Sequence, residues 1–262
     1  MISYCIAVYR PTYARLLLAD LVAKTAVPFE ILLWLNVSDS TLERDIDQAI
    51  AAGVPLRVIG RTPANIGMLA YRELFSVARF PLITQIDDDV VCISRGIAQR
   101  AERLFRQFPT VRQLVADVWQ DELTTGARPP LEQYSVFHAA EGLYLGPIDG
   151  WFAVYHRSLL PALLAIPMSR YFSLGATIAR QLACRGQHGL LDRGMKVFHV
   201  IGPEYATAFG MLEFEIEKYR GLNRLEIETW YRAYRADNVA PNMLARRIAT
   251  ICARLDTHSF TQ

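Results

Sequence analysis

The feature that most constrains this chain is the alternation of apolar runs with helix-period segments through its first hundred residues. Residues 2–9, 29–35 and 56–59 read as buried strands. Residues 12–25 follow as a helix with Leu17, Leu18, Leu21 and Val22 on one face. Ser40-Thr41-Leu42-Glu43 has capping-box spacing and opens a second helix carrying Ile46, Ala49 and Ile50. Ile66, Ala70, Leu74 and Val77 recur at helical spacing over residues 65–78. Residues 81–87 form a fourth strand, and Ser94 is expected to cap a helix with Ile97, Ala101, Leu104 and Phe105 inward. Strands separated by helices in this way predict parallel βαβ units in an α/β fold.

Asp87-Asp88-Asp89 closes the fourth strand. Three adjacent carboxylates repel one another, and a divalent cation or donor hydrogen bonds must take up the charge. Hard oxygen ligands favour Mg²⁺ or Mn²⁺ over zinc. Ligands of open α/β sheets bind beyond the carboxyl ends of the strands. Tyr9-Arg10, Asn36 and the acidic triplet all fall at such ends, so one crevice is expected there.

Beyond residue 100 the pattern loosens. Residues 124–148 are loop-rich, residues 149–155 read as a strand, and Ser158 is expected to cap a short helix. Residues 172–185 form a helix stopped by Gly186, and residues 195–199 a last strand ending in His199. From about Met211 two helices are predicted. The division expected is a domain over 1–210, in halves 1–100 and 101–210, with a helical extension over 211–262.

The 262 residues are 52% hydrophobic and 21% charged, enough for a substantial core. A net charge of +2 gives no nucleic-acid surface. Cys5, Cys92, Cys184 and Cys252 show no C-x-x-C spacing and read as free thiols of a reducing compartment. No uncharged apolar run reaches eighteen residues, and the N-terminus lacks a signal pattern. The expected location is cytoplasmic, with the inner membrane surface open as a site of contact. Arg246, Arg247 and Arg254 interleave with Leu244, Ile248, Ile251 and Leu255, a basic amphipathic helix suited to an anionic membrane or to packing on the domain.

Residues 2–202 resemble glycosyltransferases of the GT-A fold, in particular the large family two group. The turn Tyr9-Arg10-Pro11-Thr12, the segment Leu35-Asn36-Val37-Ser38-Asp39, Asn65-Ile66-Gly67 after Arg61, and the D-x-D-like triplet carry the resemblance in their order and spacing. It implies a Rossmann-like, mostly parallel sheet with helices on both faces and a nucleotide-sugar donor, UDP-sugars favoured. Tyr9, Arg10 and Asn36 would line the nucleoside pocket, with Arg61 and Asn65 close to the nucleotide. Asp88 would reach the ribose, Asp89 would bind the metal, and Asp87 would support either role. His199 stands where several GT-A enzymes carry a histidine ligand.

Glycosyl transfer needs a base for the acceptor hydroxyl if it inverts. Relatives place an acidic pair at the start of the helix after the acceptor strand, but this chain reads Phe172-Ser173-Leu174-Gly175-Ala176 there. Asp149 is the first candidate base, ahead of Glu141 and Glu204, and a retaining route stays open. Trp151 would stack on a sugar, and Arg180 would meet phosphate on the acceptor side. The acceptor expected is a glycan, a lipid-linked sugar or a small molecule. The competing readings are a non-catalytic nucleotide-sugar-binding protein, a haloacid-dehalogenase-type phosphatase on Asp87-Asp88-Asp89-Val90-Val91, and a sugar nucleotidyltransferase. The phosphatase motif belongs on a first strand, and the nucleotidyltransferase needs an opening Gly-rich loop.

Overall fold

The structure, a computed structural model, describes residues 1–120, 123, 128–233 and 241–257. The chain begins β1 (Ile2–Val8), α1 (Pro11–Lys24), β2 (Phe29–Leu35), α2 (Ser40–Ala51), β3 (Leu56–Arg61), α3 (Leu69–Ser76) and β4 (Leu82–Asp87). It continues β5 (Val90–Ile93), α4 (Ile97–Gln107), β6 (Val111–Val118), β7 (Ser135–His138), β8 (Leu143–Leu145) and β9 (Phe152–His156). The remainder is α5 (Leu160–Ala165), α6 (Leu174–Ala183), β10 (His188–His199), α7 (Pro203–Ala208), α8 (Leu212–Gly221), α9 (Leu225–Ala233) and α10 (Pro241–Thr257).

The strands form one sheet in the order β3-β2-β1-β4-β9-β6-β10-β8-β7, with β5 paired to β10. The half from β3 to β4 is parallel, because a helix returns the chain before each new strand. The other half is mixed: β9 runs antiparallel to β4 and β6, while β6 and β10 are parallel.

Register delivers the site. Val8 pairs with Leu35, and Ala7 pairs with Asp87, so β1, β2 and β4 end at one level. Antiparallel β9 starts where β4 finishes, with Phe152 opposite Ile86. That places residues 149–151 beside the acidic triplet. Antiparallel pairing of His199 with Val90 brings the end of β10 to the same place.

The structure differs from the sequence expectations at several points. β5, β6, β7 and β8 were not expected. β10 begins at His188, seven residues before the predicted strand. Gly96, at φ +74°, precedes α4, whereas Ser94 Oγ accepts the Lys196 amide at 3.0 Å. Ser158 follows a cap made by His156, and α5 starts at Leu160. Among the described residues three helices, not two, lie beyond Met211.

Leu244, Ile248, Ile251 and Leu255 of α10 are buried against Tyr13, Val91, Cys92 and Phe198. The apolar face that would enter a lipid surface is therefore covered by the domain. Cys92 and Cys252 form a disulfide between β5 and α10, Cα–Cα 5.5 Å, leaving Cys5 and Cys184 free. This corrects the expectation of four thiols: the partners lie 160 residues apart, beyond any spacing pattern. The reducing-compartment argument fails for that pair. Among the described residues no helix is long and apolar enough to cross a membrane.

Candidate active site

A cleft of about 950 Å³ opens at the shared strand ends. Tyr9, Asn36, Asn65, Asp87, Asp88, Asp149, Trp151, Arg180 and His199 border it, together with Gln85, Arg128, Arg170 and Lys218. Arg61 does not: its side chain is exposed at the end of β3. The expected proximity of Arg61 to the nucleotide cleft is not seen, because its exposed side chain closes β3, the edge strand of the sheet, outside the cleft lining.

Asp87, Asp89 and His199 each offer a ligand atom, and these lie within 4.8 Å of one another. His199 Nε2 stands 2.9 Å from Asp89 Oδ1. Asp89 is fully buried behind the residues that border the cleft, of which His199 is 5% exposed. Burial, followed by the charge of Asp89, pushes the Asp87 carboxyl up to about 7. Asp89 moves the other way: burial opposes its charge, but Arg10, His199 and Lys218 together hold it well below the usual range. Two carboxylates and an imidazole fit a divalent ion such as Mn²⁺. Bond lengths of ~2.1 Å would need only small side-chain shifts from the present spacing.

Arg10 and Asp88 prove to be structural partners. Asp88 Oδ2 accepts the Tyr9 and Arg10 amides at 2.6 and 2.5 Å. Asp88 Oδ1 accepts Arg10 Nε at 2.9 Å and lies 2.7 Å from Nη2. Three of the roughly four acceptor sites of Asp88 thus take hydrogen bonds from the β1 turn, with one further ion contact to Arg10. Arg10 Nη1 reaches Asp89 Oδ2 at 2.6 Å and also pairs with Glu215. The 2.6 Å contact with Asp89 is an ion pair without an aligned hydrogen bond. The guanidinium is thus spent on three carboxylates rather than on a nucleoside.

On the other wall, Trp34 Nε1 donates to Thr62 Oγ1 at 3.2 Å, so the Thr62 hydroxyl donates onward to Asn36 Oδ1 at 3.0 Å. The Ile66 amide also donates to Asn36 Oδ1, at 3.1 Å. Two donors on one atom fix the amide orientation and leave Nδ2 buried without a partner. Asn65 Oδ1 accepts the Gly67 amide at 2.8 Å in a turn ahead of α3 rather than at its cap. Gly67 has φ +54°, and a Cβ there would lie 2.1 Å from the Arg170 carbonyl oxygen.

Asp149 Oδ1 accepts the Gly150 amide at 2.8 Å. The Ser173 hydroxyl and the Ala176 and Gly175 amides also face it. Burial raises its carboxyl above the ordinary value, and these donors oppose the rise. A Cβ on Gly175 would lie 2.5 Å from the Asp149 carbonyl carbon, so glycine lets the first turn of α6 close onto Asp149. Asp149 thus sets a carboxylate against the start of α6, where the local sequence has none. Glu141 is held by Arg103 and Glu204 does not border the cleft.

Trp151 is 7% exposed and its Nε1 donates to the Ala116 carbonyl at 2.7 Å. It is a core residue bordering the cleft, which removes the open ring face that stacking needs. Arg180 is exposed and touches Thr177 Oγ1 at 3.3 Å. Sequence reasoning missed the contribution of α8, where Glu215 pairs with Arg10, Glu217 accepts the Tyr9 hydroxyl and Lys218 borders the cleft. The only signal was the i, i+3 charge pair of Glu215 and Lys218, which is 3.8 Å apart.

Solved structures of low sequence identity are similar to this chain in overall fold. GalNAc-T7 with UDP, GalNAc and Mn²⁺ aligns at TM-score 0.58 and 13% identity, over 77% of this chain and 43% of that one. The mannosyltransferase PcManGT from Pyrobaculum calidifontis, in complex with GDP-Man and Mn²⁺, aligns at TM-score 0.55 and 12% identity, over 96% and 68%. The fold is that of the GT-A glycosyltransferases. S. aureus TarS 1-349 with UDP-GlcNAc aligns on the same GT-A fold at TM-score 0.54 and 12% identity, over 81% and 63%. This chain spans 60% of another S. aureus TarS 1-349 structure. No protein-family model and no curated protein matches the chain.

Proposed function

We propose that this chain is a divalent-metal-dependent glycosyltransferase, moving a sugar from a nucleotide-diphosphate donor to a hydroxyl acceptor. The observation that carries the reading is the convergence of Asp87, Asp89 and His199 beside a cleft of about 950 Å³. A divalent ion held there would supply Lewis-acid stabilisation to the leaving diphosphate. The GT-A fold and the Mn²⁺ complexes of GalNAc-T7 and PcManGT support it.

The chain's own groups divide the work. Asn36, with its amide nitrogen unspent, and Tyr9 flank the space for the nucleoside. Asp88 and Arg10 hold the turn that shapes this wall. Asp149, buried enough to raise its proton affinity and set against α6, takes the proton of the acceptor hydroxyl. The acceptor oxygen then bonds to the anomeric carbon as the bond from that carbon to the diphosphate breaks, which inverts the centre. Exposed Arg180 faces the acceptor side. UDP-sugars are the first donors to test, and the products belong to glycan, polysaccharide or glycoconjugate synthesis.

The test is a panel of UDP-, GDP- and CDP-sugars assayed with Mn²⁺ for binding and slow donor hydrolysis. Binding with hydrolysis supports the enzyme, and binding without hydrolysis or transfer favours a binding protein. No binding of any donor overturns both.

A further inference from the structure

Helix α8, in the C-terminal extension, contributes Lys218 to the lining of the cleft. Glu215 pairs with Arg10. Glu217 accepts the Tyr9 hydroxyl at 2.7 Å and Arg170 Nη2 at 3.2 Å. These ties hold the helix so that Lys218 enters the cleft. The Lys218 ammonium lies 3.8 Å from Asp89 Oδ2 and 3.8 Å from Glu215 Oε2. Both distances exceed hydrogen-bond reach. Its side chain is 26% exposed, so it opens to the cleft while standing against the acidic cluster.

Among the other cations at the cleft, exposed Arg180 reaches Thr177 Oγ1 at 3.3 Å and makes no contact with the acidic cluster among the described residues, and the rest are committed to partners. Arg10 is spent on Asp88, Asp89 and Glu215. Arg128 is bound to Asp117 and to the Pro129 carbonyl. Arg170 pairs with Glu217, and Arg224 with Glu226. Lys218 is the cation beside Asp89 that is attracted by charge yet makes no hydrogen bond among the described residues. An ammonium on a four-carbon stem carries three donors and swings readily towards an anion.

We propose that Lys218 is a ligand for the diphosphate of the donor, so that the C-terminal extension completes the catalytic site. The inference rests on the glycosyltransferase reading above. An ion on Asp87 and Asp89 would neutralise the carboxylate that now attracts Lys218, and its donors would turn to the phosphate oxygens. The positive charge of Lys218 then opposes the negative charge that grows on the leaving group.

The test compares the wild type with Lys218→Gln and Lys218→Arg, titrating UDP, GDP and CDP and the matching nucleosides, with Mn²⁺ and with a chelator. The expected result is at least a tenfold loss of diphosphate affinity in Lys218→Gln with Mn²⁺, and a smaller loss with the chelator, where Asp89 still attracts the ammonium. Nucleoside affinity should stay unchanged, and Lys218→Arg should recover most of the loss. Equal losses for nucleoside and diphosphate would make Lys218 a structural residue and overturn the proposal, as would unchanged diphosphate affinity. If the wild type binds none of the three diphosphates, the glycosyltransferase reading itself fails and Lys218 falls with it.

Discussion

Arg10 grips Asp88 twice, by its backbone amide at 2.5 Å and by its side-chain Nε at 2.9 Å. The middle carboxylate of the triplet is therefore an anchor for the end of β1. It ties the tips of β1 and β4 at the level where Asp87 and Asp89 turn towards His199.

Asp88→Asn tests that anchor. The amide puts an N–H₂ group where an oxygen now receives donors, leaving Arg10 short of a buried partner. Stability should fall by roughly 2–4 kcal/mol. Urea unfolding measures it, and a change within ~0.5 kcal/mol would show that the contact is dispensable.

The metal-free protein should respond to pH through Asp87. Its folded pKa of about 7 lies above the unfolded value of 3.8. Between those values the folded chain keeps a proton that the unfolded chain has released. Stability from this group is therefore present below about pH 4 and is lost as pH rises towards 7, at up to ~1.4 kcal/mol per unit. Asp89, whose pKa is depressed, acts only below the ordinary carboxylate range. A cation competes with the Asp87 proton, so the rise in Tm caused by Mn²⁺ should grow from pH 6 to pH 8. Thermal melts with Mn²⁺ and with EDTA check this, and a shift independent of pH would contradict it.

Gly175→Ala probes the seat of Asp149. The new Cβ would lie 2.5 Å from the Asp149 carbonyl carbon and 2.8 Å from the Gly150 amide. These are backbone atoms, so α6 must move off the proposed base, at a cost of about 1–3 kcal/mol. Sugar transfer should drop by at least tenfold with donor affinity within about threefold of wild type. Equal falls in both would place Asp149 in donor binding instead.

The parallel half of the sheet was legible because each strand and helix there follows its own period. β1 and β2 begin where apolar runs place them, and α2 begins at Ser40 but is capped by Asp39, whose Oδ1 accepts the Leu42 amide, rather than by the expected Ser40 box. β6 was missed because Arg112, Gln113 and Asp117 interrupt its apolar run. Asp117 is buried and paired with Arg128 and Lys196, a tertiary solution that hides the strand. β10 was shortened in the same way at Asp192, which is buried against Arg100. The clustering of Asp87, Asp89 and His199 was legible because they stand at or beside strand ends. Glu215 and Lys218 were not, since an exposed-looking charge pair on a helix carries no sign of which strand ends it will meet more than a hundred residues away.

The central claim is that Asp87, Asp89 and His199 hold a cation that meets a diphosphate. Crystals of the wild type soaked with MnCl₂ and UDP, and with GDP in parallel, test it directly through the anomalous signal of manganese. The account predicts one ion within about 2.3 Å of an Asp89 oxygen and His199 Nε2, with diphosphate oxygens in its remaining positions. A well-diffracting crystal with nucleotide bound and no manganese at these residues would contradict it.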